Sequence, residues 1–152
     1  MGTLGYKYEK KNQVSYSFVS KGRHGAIIKM VQFTPTSIKG VFNLAFGDLL
    51  PDGNIDDKSN SNNGDMIKVL GTVIEIVKDF TNENAHLNIV FSGSTAERTK
   101  LYHRILKNYC QSFEKDFILS AFVETGIKKY VEIAFNELDE KSNYVAFFIK
   151  KK

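Results

Sequence analysis

The chain has 152 residues, 42% hydrophobic and 25% charged, with 12 Phe, 7 Tyr and no Trp, enough for one domain over 1–152 with a largely aromatic core. No run nears the roughly 18 to 20 apolar residues that cross a bilayer, the start MGTLGYKYEKKNQ has no apolar signal core, and the lone Cys110 excludes an internal disulfide. These features predict a cytoplasmic protein without a membrane partner, and the net charge of +4 admits nucleic acid.

Tyr6 to Glu9 reads as a short edge strand. Val14 to Val19 (VSYSFV) and Gly25 to Thr34 (GAIIKMVQFT) are rich in β-branched and aromatic residues, with Lys21-Gly22-Arg23-His24-Gly25 as the turn between them. Pro35-Thr36-Ser37 ends the second run, and Val41 to Phe46 begins another. Leu49 to Asn63 reads as a loop. From Asp65 to Thr81, Met66, Val69, Leu70, Val73, Val77 and Phe80 recur at helical spacing. Asn62 or Asn63 is the expected cap of this helix, and Asp65 in its first turn suits the dipole. His86 to Phe91 reads as a strand and about Thr95 to Cys110 as a second helix. Phe117 to Val123, Tyr130 to Phe135 and Tyr144 to Ile149 read as three more strands. The order β-β-β-(β)-α-β-α-β-β-β groups strands at both ends. It predicts an α+β fold, with antiparallel sheet in strand meanders packed with two central helices.

The segment FSGSTAERTKLY, 91–102, offers the sharpest site. A helix start presents unpaired amides and partial positive charge, and Gly93 lets a ligand approach the backbone. Ser94 and Thr95 add hydroxyls, and Arg98 lies on the helix face it shares with Tyr102 and Ile105. Gly93, Ser94, Thr95 and Arg98 therefore form a candidate anion site. The same residues admit a structural reading. Ser94 and Glu97 match a capping box, which fills the donors an anion would take, and Arg98 then pairs with a carboxylate. Asp48, Asp56, Asp57 and Asp65 are the available partners. Further along, Lys100, Arg104 and Lys107 form a basic stripe at i, i+4, i+7. His103 beside it is expected on the polar face.

Other constellations carry less. Asp52, Asn54 and Asp56 alternate as in a calcium hand, but Asp57 stands where that loop needs Gly and Asn63 where it needs Glu. Cys110 lies late in its helix, away from the N-terminal position that activates a thiol, and reads as a buried structural thiol, and His24, His86 and His103 lack metal-ligand spacing. No catalytic residue, metal or cofactor is assigned. Only Arg23, Arg98 and Arg104 are arginines among 21 basic residues, so most of the positive charge is lysine, a hydrated point charge rather than a bidentate fork. The basic ends, Lys7-Tyr8-Glu9-Lys10-Lys11 and Lys150-Lys151-Lys152, are too short for binding arms.

Two segments, LAFGDLLPDGNIDDKSNSNNGDMIKVLGTV (44–73) and SGSTAERTKLYHRIL (92–106), resemble a family of small bacterial proteins of unknown function. That family has an Asn-Gly-Asp helix start and a Gly-Ser-Thr-x-x-Arg-Thr-x-Leu-Tyr motif. Asn63, Gly64, Asp65, Gly93, Ser94, Thr95, Arg98 and Tyr102 match it. The resemblance implies one compact bacterial domain and supplies no activity.

Three functions follow as expectations. The first is a module for single-stranded DNA or RNA, with Phe122, Tyr130, Phe135 and Tyr144 on a sheet face as stacking platforms. The second is an RNA-cleaving toxin-like enzyme of a toxin–antitoxin pair, using Arg98, His103 and Arg104. The third is an interaction module that meets a protein partner or a second copy and performs no chemistry. The Asp65–Gly93–Arg98 neighbourhood, with Asn63 and Tyr102 as partners, is the expected site.

Overall fold

The computed structural model describes residues 5–56, 64–92, 96–127, 129–135 and 144–152, the side chains of 96, 109–114 and 144 excepted. The elements run β1 (Tyr8–Lys10), β2 (Ser15–Gly22), β3 (Gly25–Pro35), β4 (Val41–Leu49), β5 (Ile55–Asp56), α1 (Met66–Glu83), β6 (Asn88–Phe91), α2 (Ala96–Glu114), β7 (Phe117–Gly126), β8 (Lys129–Ala134) and β9 (Tyr144–Lys151). The fold is α+β with mostly antiparallel strands, in the predicted order. Its contacts divide the chain into two compact units, Met1–Thr34 with Leu44–Ala85, and Pro35–Asn43 with His86–Lys152.

In the first unit β1, β2 and β3 form an antiparallel meander. Gly22 pairs with Gly25, so the β2–β3 loop is only Arg23 and His24, and Gly25 takes the positive φ (84°) that so tight a turn demands. Tyr16 and Phe18 on β2 and Val31 and Phe33 on β3 are buried, alternating as period-2 strands require. α1 covers that face. Its buried residues Val69, Leu70, Val73, Ile76, Val77 and Phe80 form one apolar stripe. The Phe33 and Phe80 rings stack 3.9 Å apart at 3°, and Tyr16 meets Phe33 edge-on at 6.0 Å.

The expected loop from Leu49 contains structure. The turn at Pro51-Asp52-Gly53-Asn54 leads back into β5, which pairs with the end of β4 (Asp48 with Asp56, Leu49 with Ile55). Asp52 Oδ1 accepts from the Asn54 amide at 3.0 Å and Asp52 Oδ2 from the Asn54 side chain at 3.0 Å. These groups serve a turn, and the calcium-like alternation is its by-product. The α1 cap also departs from expectation. Asp65 is the N-cap residue but makes no side-chain capping bond; Asn62 and Asn63 lie outside the described residues.

In the second unit, the start of β4 (Val41–Asn43) pairs with β6, β6 with β9, β9 with β7 and β7 with β8. The last three strands are therefore not the expected meander: β7 and β8 form a hairpin, and β9 returns to the other edge of β7, beside β6. The β4–β6 pair is parallel, a departure from an all-antiparallel reading. The chain between them runs through α1, the long connection a parallel pair requires. α2 packs Tyr102, Ile105 and Leu106 into a core with Ile89, Phe91, Phe117, Leu119, Phe135 and Phe147.

Candidate anion-binding sites

Each unit carries a cationic feature, built differently. In the second it is α2. At 100° per residue, Lys100, Arg104 and Lys107 fall within about 60° of arc and about 10 Å of helix. All three are exposed, and none lies in an ion pair among the described residues. The buried side of α2 holds Thr99, Tyr102, His103, Ile105 and Leu106. Arg98 is half-buried on the flank of that side, three residues into the helix. Gly93, Ser94 and Thr95, the rest of the proposed corner, lie outside the described residues, as does Asn63.

His103 corrects an expectation. It is 1% exposed, edge-on to Phe135 at 5.1 Å and stacked with Phe147 at 6.5 Å. The buried arc of α2 spans about 160°, wide enough to take in position 103 beside Thr99 and Leu106. Tyr102 is likewise core, its ring 6.4 Å from Phe91. Of the proposed stacking aromatics, Phe135 is buried against His103, Phe122 is half-buried and edge-on to Phe148 at 5.5 Å, and Tyr130 is 54% exposed. The Tyr144 side chain is not among those described.

Asp65 belongs to the first unit and Arg98 to the second. Asp65 Oδ2 accepts from Tyr6 Oη at 2.6 Å and from Ser20 Oγ at 2.5 Å. The carboxylate thus ties the segment before β1 and the end of β2 to the start of α1, instead of capping the helix. Asp48 pairs with the buried Lys29.

Around Tyr6 lies a groove of ≈ 760 Å³ that the sequence reading did not foresee. Its lining combines the charged Lys7, Glu9, Lys11, Lys21 and Lys68, here called the rim, with the apolar Phe18, Val19, Ile28, Met30 and Leu49. Lys11 is 2.7 Å from Glu9; Lys7, Lys21 and Lys68 meet no carboxylate among the described residues. The Lys68 ammonium sits 4.3 Å from the centroid of the Tyr6 ring. A signal existed in the strands. VSYSFV and GAIIKM put apolar residues on both faces, and only one face can be covered by a single helix.

The fold and these surfaces define a basic α+β protein that presents lysine-rich features from both of its units. The chain belongs to DUF6934, a family of unknown function, whose match extends over residues 3–152. Comparisons with curated proteins and with solved structures gave no match.

Proposed function

We propose that the chain is a single-stranded nucleic-acid-binding module in which Lys100, Arg104 and Lys107 hold successive phosphates along α2. The observation that supports this reading is the stripe itself: three exposed, mutually aligned cations without carboxylate partners among the described residues. Cations left unpaired on one helix face attract a polyanion by counterion release, which needs no base-specific contact. Tyr130 supplies one open ring for stacking, and the burial of Phe135 removes another, so backbone attraction carries more of the affinity than a sheet of aromatics would. An RNA-cleaving activity gains no support, because His103 has no path to a scissile phosphate from within the core.

The test is fluorescence anisotropy with labelled oligothymidylate and oligouridylate at low salt. Arg104→Glu places a repelling charge in mid-stripe at an exposed position and is expected to weaken both by about tenfold or more, with an unchanged melting temperature. Equal binding by wild type and Arg104→Glu overturns the assignment to α2.

A protein-docking reading has its own observation. Among the described residues β8 pairs only with β7, and the hairpin they form exposes Ile127 at 92% along with Tyr130 and Val131. An open strand edge flanked by apolar residues is a template for strand addition. Sedimentation velocity of wild type beside Ile127→Lys tests it: a concentration-dependent dimer lost in the variant supports docking at that edge.

A further inference from the structure

The groove of the first unit has a composition that a nucleic-acid track does not need, and it stands independently of the α2 reading. We infer that it is a binding site for an acyl carboxylate, the aliphatic chain lying on the apolar wall and the carboxylate meeting the lysines around Tyr6.

Four observations carry this. First, the volume of ≈ 760 Å³ falls in the range of small-molecule sites, about 300–1,000 Å³. Second, Val19 and Ile28 are direct cross-strand partners and remain 38% and 50% exposed, so a contiguous aliphatic pair is left facing water inside a concavity. Covering it removes apolar surface from solvent, which is favourable for any chain that fits. Third, the rim is positive. Lys7, Lys21 and Lys68 have no carboxylate partner among the described residues, whereas the rim's one acid, Glu9, is already engaged by Lys11. An anionic head complements this, and a neutral or cationic one does not.

Fourth, the aromatic rings that line the groove already have partners. Tyr6 stacks with Phe18 at 6.0 Å and 19° and also carries the Lys68 ammonium, Phe18 is buried, and Tyr8 is edge-on to Tyr16 with its hydroxyl on Asp79. Among the described residues Tyr6 and Phe18 thus offer no free face to a nucleobase, and the more exposed apolar lining, Val19 and Ile28, is aliphatic. Tyr6 is itself held in place. Its hydroxyl donates to Asp65, and its amide donates to Thr72 Oγ1 at 2.7 Å. Lys68 therefore rests on a preset ring, which lowers the ordering cost of meeting a carboxylate.

The experiment is calorimetric titration of the full chain with hexanoate, octanoate and decanoate, each below its micelle-forming concentration, with decanamide as the uncharged control. Saturable one-to-one binding is expected, tightening about fourfold per added methylene up to the length of the groove, with decanamide clearly weaker. Ile28→Gln should flatten the chain-length dependence, and Lys21→Gln/Lys68→Gln should reduce the preference for decanoate over decanamide. Oligothymidylate should not displace decanoate. Absence of saturable binding, affinity independent of chain length, or displacement by the oligonucleotide would each overturn the inference; the last would place nucleic acid in the groove. Should Ile28→Gln fail to fold, the chain-length series on the wild type decides alone.

Discussion

Tyr16 is buried among Phe33, Tyr8 and the α1 face, and its hydroxyl has no hydrogen-bond partner among the described residues. A buried donor without an acceptor costs about 1–3 kcal/mol, so Tyr16→Phe is expected to be neutral or to raise stability by about 1 kcal/mol, read from urea unfolding. Burial, and then the nearby Glu83 and Asp79 carboxylates, push this hydroxyl up to about 12. Tyr8 and Tyr6 are also raised, in both cases first by burial and then by a carboxylate that accepts their hydrogen bond. A raised folded-state pKa favours the folded state fully below the unfolded value of about 10, and that contribution is lost as pH climbs through the folded value. Stability should therefore decline between pH 10 and about 12, and Tyr16→Phe should lessen the decline in melts run across that window. At Gly5 the constraint is steric. A Cβ there would lie 2.7 Å from Thr72 Cα and Oγ1, so Gly5→Ala is expected to cost about 1–3 kcal/mol by forcing the segment before β1 off α1. A melting temperature equal to wild type would show that the segment shifts without penalty.

At the scale of elements, α1 and α2 follow their apolar spacing closely. Val69, Leu70, Val73, Val77 and Phe80 were all readable from periodicity, and all are buried. Phe80→Ala removes the ring stacked on Phe33 and is expected to cost about 3–5 kcal/mol in equilibrium unfolding. What periodicity does not give is the width of the buried arc, which depends on how many neighbours a helix touches. Lys100 and Arg104 flank His103 and point to the polar face, yet Phe135 and Phe147 enclose it. Asp65 shows the same limit for polar groups. Its position at a helix start was legible, but its choice of Tyr6 and Ser20 over a capping bond rests on contacts 59 and 45 residues away in sequence. The groove is not legible in the sequence for this reason too. Lys7, Lys21 and Lys68 come from three separate stretches, and no local motif joins them.

For the molecule as a whole, β9 inserts between β6 and β7 instead of continuing from β8, so only the first of the two expected meanders forms; the order strands, helix, strand, helix, strands was legible from turn residues and β-branched runs. The parallel β4–β6 pairing was not, because the partner of a strand across a long connection is decided by packing. Net charge was legible as a total of +4 but not as a distribution. The fold gathers part of it beside a groove in one unit and part of it along a helix in the other, and the two proposals assign a different ligand to each. The measurement that bears most directly on the nucleic-acid reading is the salt dependence of binding to oligothymidylate, wild type beside the Lys100→Gln/Arg104→Gln/Lys107→Gln variant. Three phosphate contacts on a single strand predict a slope of log affinity against log salt of about −2, collapsing towards zero in the variant while its melting temperature holds. A wild-type slope near zero, or a steep slope that the triple variant retains, would contradict phosphate binding along α2.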